Sequence, residues 1–168
     1  MIKKVMVEKT IESFIRKLNE EGHHKYASEL RYIIAMSRKR KDAITALSVM
    51  TITLLIHIIK LVSMPQSRDK NKWRKEIVNY LSTFNIRNKN PKGIPWLSLQ
   101  YIQDDLNDVL SSPDFIKRIK KELQDYSDFD KNNALYLLKT NKTLKNLKIT
   151  LFYGPDNDLK ININGQIF

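Results

Sequence analysis

AITALSVMTITLLIHIIKLVSM, residues 43–64, is a run of 22 residues in which Lys60 carries the one dependable charge. Its length fits two structures. A membrane span needs about 20 apolar residues, and a helix covered on all sides in a soluble bundle is apolar over a similar length. Thr45, Ser48, Thr51, Thr53, His57, Lys60 and Ser63 place a polar group at every second to fourth position. Basic clusters stand at both ends, so no charge asymmetry orients a span. The central helix of a soluble bundle is therefore expected, with the membrane span as the competing reading. Such a helix would be about 33 Å long at about 1.5 Å per residue.

On the N-terminal side, Ile11, Phe14, Ile15 and Leu18 recur at spacings of three and four and predict an amphipathic helix over residues 7–21, which Gly22 is placed to end. A second helical stretch starts near His24, carries Ala27, Leu30, Ile33, Ile34 and Met36, and enters the basic run Ser37-Arg38-Lys39-Arg40-Lys41-Asp42, which either bends the chain or continues the helix. On the C-terminal side, Pro65 stops the apolar helix because it has no amide proton to donate. Asp69 is placed to cap the next helix, and Trp73, Ile77, Tyr80, Leu81 and Phe84 predict its extent as about residues 69–83.

Residues 85–95, NIRNKNPKGIP, have the composition of the main loop. Leu99, Ile102, Leu106, Val109 and Leu110 form a further stripe, and Ser112-Pro113-Asp114 restarts a helix bearing Phe115, Ile119, Leu123 and Tyr126. After a short apolar piece at residues 134–138, residues 147–153 and 159–163 flank Gly154-Pro155-Asp156-Asn157-Asp158, a hairpin loop by composition. The expected fold is mainly α: a bundle of about five to six helices with a long central helix over residues 1–126. A C-terminal extension, residues 127–168, carries a small β-hairpin. Because a lone hairpin is marginally stable in water, it should pack on the bundle within one compact domain.

With 42% hydrophobic and 9% aromatic residues, the 168-residue chain can bury a core. The absence of cysteine excludes disulfides, thiolate metal sites and cysteine nucleophiles. Four glycines disfavour Gly-rich phosphate loops. No apolar segment with a small-residue cleavage site opens the chain, so a cytoplasmic location is expected.

The charge is uneven. Thirty Lys and Arg face eighteen Asp and Glu, a net +12 and a pI near 9.8. Between residues 37 and 75 stand Arg38, Lys39, Arg40, Lys41, Lys60, Arg68, Lys70, Lys72, Arg74 and Lys75 against Asp42 and Asp69, a local +8. Positive charge of this density attracts polyanions through counterion release. Arg38, Lys39, Arg40, Lys41, Arg68, Lys70, Lys72 and Arg74 are therefore the candidate nucleic-acid contacts. No helix-turn-helix, zinc-finger or RNA-binding signature accompanies them.

His57 and Lys60 lie one turn apart in an apolar helix and, with Trp73, form a candidate functional face. The plainer expectation is a hydrogen-bonded core histidine, and a lysine whose stem is buried while its amine reaches water. Adjacent His23 and His24 do not converge on a metal as a pair four apart does. Asp104, Asp105 and Asp108 read as a solvated face, and Asp156-Asn157-Asp158 as a turn rather than a calcium loop. No nucleophile motif or paired carboxylates stand out, so no catalytic residue, metal or cofactor is assigned and enzymatic activity is not expected.

The order Met36, Leu54-Leu55-Ile56-His57-Ile58-Ile59-Lys60-Leu61, Met64-Pro65-Gln66, Lys72-Trp73-Arg74-Lys75-Glu76-Ile77 and Ser111-Ser112-Pro113 resembles the bacterial family called domain of unknown function 29, over about residues 27–126. The resemblance implies an all-helical soluble fold and no particular activity. It departs at Arg31-Tyr32-Ile33, where the family carries Glu-Glu-Ile, so an acidic pair that would work with His57 is missing. Two functional classes are expected: a polyanion-binding module, and a protein-interaction module without catalytic activity. The second would be a homodimer, or a component of phage-defence or toxin-antitoxin type, meeting its partner along the hairpin edge.

Overall fold

The computed structural model describes residues 2–168, with side chains from residue 10 onward. The chain is mainly helical and ends in a small antiparallel sheet. Its elements are α1 (Ile2–Glu20), α2 (His24–Ser63), α3 (Lys70–Arg87), α4 (Leu99–Ser111), α5 (Pro113–Glu122), α6 (Asp128–Thr140), β1 (Ile149–Tyr153), β2 (Leu159–Ile163) and β3 (Gln166–Ile167).

The basic run at residues 37–42 does not bend the chain. α2 is one helix of 40 residues, because nothing between His24 and Ser63 breaks it: the stretch has no glycine or proline, and Arg, Lys, Ala and Met are all good helix formers. It is long and apolar enough to cross a membrane by length and composition, and 61% of its most apolar stretch is buried within the protein. A core helix and a span share these features.

The chain divides into two compact units, Met1–Lys41 and Asp42–Phe168, so α2 contributes its first part to one and the remainder to the other. In the first unit, α1 ends in a left-handed cap at Gly22 (φ 82°), where His23 N–H reaches Leu18 O at 2.7 Å and Gly22 N–H reaches Asn19 O at 3.1 Å. Ile15 and Ala27 are the buried apolar side chains described in this unit, whereas Phe14, Tyr26, Tyr32 and Ile33 are each more than half exposed.

The second unit is built around the apolar part of α2. Leu47, Leu54, Leu55, Ile58 and Ile59 share one core with Trp73, Ile77 and Phe84 of α3, Ile102 and Leu106 of α4, and Phe115 and Ile119 of α5. The Thr51 hydroxyl is 2.7 Å from Asp105 Oδ2 and 2.8 Å from Leu47 O, tying α2 to α4. Asp105 is thus a structural acceptor rather than part of a solvated face.

α3 runs one turn beyond its expected end. Asn85, which reads as loop in isolation, is buried, and its side-chain amide donates to Leu159 O (3.1 Å) and accepts from Leu159 N–H (2.8 Å). A side chain that mimics a strand partner therefore anchors β2 to α3. Asp69 makes no side-chain cap to α3; its own N–H donates to Ser67 Oγ. Ser98, Ser112 and Ser127 do cap α4, α5 and α6 through their hydroxyls. α6 is a full helix of 13 residues where the apolar pattern marked only residues 134–138.

β1 and β2 pair antiparallel with Ile149 opposite Ile163 and Tyr153 opposite Leu159, and β3 adds a third strand to the far side of β2. The expected hairpin is therefore a three-stranded meander, and β3 covers part of the edge that a partner strand would use. Ile149, Leu151, Leu159, Ile161 and Ile163 turn their side chains into the core. The Tyr153 hydroxyl donates to Leu97 O (2.7 Å) and accepts from Asn88 Nδ2 (2.8 Å), closing the 88–98 loop over the sheet.

Candidate functional site

Four consecutive residues on a helix point about 100° apart. Arg38, Lys39, Arg40 and Lys41, all exposed on α2, therefore encircle that helix instead of lining one side of it. A partner approaching from one direction meets about two of them.

The second basic cluster lies around the start of α3 and is divided by the same periodicity. Trp73 and Ile77 define the buried face, which leaves Lys72 and Lys75, three residues apart, on the exposed side. Lys70 and Arg74, four apart, flank the buried face and are half-buried. Arg74 Nε has no hydrogen-bond partner, while its Nη1 lies 3.4 Å from Asn71 Oδ1. Arg68 precedes the helix and is exposed.

His57, Lys60 and Trp73 meet a set of groups that spacing alone does not reveal. The His57 ring stacks on Tyr80 of α3 with centroids 5.9 Å apart and planes at 22°. Its Nδ1 is buried without a hydrogen-bond partner, so it is not the hydrogen-bonded core histidine expected. Burial first, and then the positive charge of Lys60, hold its pKa below the ordinary value; Lys72 acts in the same direction, and Glu76 and Glu122 oppose it.

The Lys60 side chain is 8% exposed, and its ammonium lies 3.7 Å from Glu122 Oε2 and 5.3 Å from the centre of the Tyr126 ring. Trp73 is 2% exposed and packs on Tyr126 at 6.2 Å, so its ring belongs to the core and offers no face to a ligand. Burial, and next the Asp69 carboxylate, push the Tyr126 phenol upward. The arrangement is a buried cation held by a half-exposed carboxylate and a ring, next to a neutral imidazole. Among the described residues no three His, Asp or Glu side chains gather as a metal site.

Two features lie outside the sequence-derived candidates. In the first unit a groove of about 480 Å³ has Ile11, Ile15, Ile34 and Ala35 as its apolar lining, with Arg16, Arg31, Arg38 and Glu12 as its charged lining. In the second unit, residues 131–155 hold five lysines and no carboxylate. That local excess disappears in the count for the second half of the chain, where Asp and Glu of α4, α5 and the start of α6 offset it.

No family model matches this chain, and neither a curated protein nor a solved structure matches it.

Proposed function

We propose that the chain is a polyanion-binding module whose natural partner is nucleic acid. The reading is carried by one observation: of the ten basic side chains between residues 37 and 75, Lys60 alone is buried, while Arg38, Lys39, Arg40, Lys41, Arg68, Lys72 and Lys75 are exposed. Because a basic ring and an exposed pair offer phosphate contacts without groove-reading geometry, binding should be governed by charge and be weakly selective for sequence. Fluorescence anisotropy with a labelled 20-nucleotide strand and its duplex, at 50 and 200 mM salt, tests this. Affinity falling steeply with salt supports it, and salt-independent or absent binding at low ionic strength overturns it.

A protein-interaction role is the second reading. It is favoured by the first unit, where Phe14, Tyr26, Tyr32 and Ile33 are exposed, and which also holds a groove with an apolar lining, three arginines and Glu12. With eleven basic and five acidic residues in Met1–Lys41, two copies of this unit repel each other. The complementary partner is an amphipathic helix bearing carboxylates beside its apolar stripe. A strictly monomeric mass by light scattering fits this hetero-partner form, whereas a homodimer would contradict it.

A further inference from the structure

The acid-free stretch of residues 131–155 ends at a cleft. Beside α4 and the start of β1, a cavity of about 310 Å³ is lined by Gln103, Lys145, Lys148 and Thr150 together with Leu144 and two apolar residues of β1. Lys145 and Lys148 are exposed, and neither ammonium pairs with a carboxylate among the described residues. A neutral amide, a hydroxyl and two unopposed ammonium groups suit a tetrahedral oxyanion.

The backbone holds one of these lysines in an unusual place. Residues 143–148 make a helical turn closed by Lys148 N–H to Lys145 O (3.0 Å) and Ile149 N–H to Leu144 O (2.9 Å), with Lys148 at φ 56°. This is the left-handed closing position at which glycine is favoured because it has no Cβ to crowd the carbonyl. A lysine at this position works against local stability and lines the cleft, the combination expected where backbone strain serves binding.

We propose that this cleft holds a backbone phosphate of bound nucleic acid, with Lys145 and Lys148 supplying the charge and Gln103 and Thr150 the hydrogen bonds. The proposal rests on the polyanion reading above and assigns it a contact point outside residues 37–75. The test uses the full chain, the labelled 20-nucleotide strand, inorganic phosphate as the alternative ligand, and the variants Lys148→Gly, Lys145→Gln and, as a control for lost charge, Lys92→Gln. Lys148→Gly should hold the melting temperature or raise it by up to about 4 °C.

In the same experiment Lys148→Gly and Lys145→Gln should each weaken oligonucleotide binding about three- to tenfold at 50 mM salt and reduce the salt slope by about 0.7. Lys92→Gln should change affinity by less than about twofold. In amide NMR the Gln103 side chain should shift with the oligonucleotide. If wild type binds and both cleft variants behave as Lys92→Gln does, the cleft assignment is overturned and the polyanion reading stands. If wild type shows no salt-dependent binding, both fall. A Gln103 shift with inorganic phosphate but none with the oligonucleotide overturns the nucleic-acid assignment, and a lower melting temperature for Lys148→Gly refutes the strain argument.

Discussion

Removing the carboxylate opposite Lys60 tests whether this buried ammonium depends on its ion pair. The Lys60 side chain is 8% exposed and Glu122, 3.7 Å away, is 41% exposed. At that separation the attraction is about 4 kcal/mol at an effective dielectric constant of about 20, and about 1 kcal/mol in water. The exposure of Glu122 places the pair toward the lower figure, so Glu122→Gln should cost about 1–2 kcal/mol. For a fold of this size that lowers the melting temperature by about 2–8 °C.

Lys60→Met removes the desolvation cost together with the attraction and should be neutral, or stabilising by up to about 1 kcal/mol. In the Lys60→Met background, Glu122→Gln should cost about nothing, because a half-exposed carboxylate loses little when its partner is already gone. Urea unfolding followed by far-UV circular dichroism reads all four proteins, with unchanged m-values confirming that midpoints report stability. A Glu122→Gln cost below about 0.3 kcal/mol, together with a Lys60→Met cost above about 2 kcal/mol, would show an amine solvated in solution and refute the reasoning.

Three further outcomes are expected. Because His57 is held below its usual pKa of about 6.5, the unfolded chain binds more protons than the folded one as the solution is acidified below that value. His57 therefore adds stability that is complete above about pH 6.5 and is lost as pH falls toward the folded-state pKa. His57→Phe keeps a ring against Tyr80 and should flatten the stability profile between pH 7 and 5; an unchanged slope refutes this. Asn85→Ala, which orphans the buried N–H and C=O of Leu159, should cost about 2–3 kcal/mol in urea and speed hydrogen exchange at the Leu159 amide. Ser112→Ala removes the cap accepting from Phe115 N–H and should cost about 1 kcal/mol; a cost under about 0.3 kcal/mol would show that the cap is dispensable.

What was legible in the sequence follows how local each signal is. The stripes of α3, α4 and α5 and the Ser112-Pro113 restart are set within one or two turns of chain, and they appear at or near their expected positions. The end of α3 was not legible, because Asn85 joins the helix through a hydrogen bond to a strand 74 residues away. α6 was only partly legible: its stripe is short, and its clearest start signal is Ser127, whose hydroxyl accepts from Asp130 N–H. The candidate site was legible as residue types and not as contacts. The pairing of Lys60 with Glu122 and the stacking of His57 on Tyr80 join α2 to α5 and to α3, and no periodicity encodes those meetings.

The sequence by itself determined that the chain is mainly helical, that its apolar run at residues 43–64 is helical, and that its charge excess is concentrated at residues 37–75. These follow from propensity, spacing and counting, which need no partner residues. Only the tertiary structure decided which of those charges remain exposed, because burial depends on what each helix face packs against. It alone paired Lys60 with Glu122 and set Lys145 and Lys148 around one cleft. Both arrangements depend on groups brought together by long-range packing, and that packing decides what an individual charge in this protein can do.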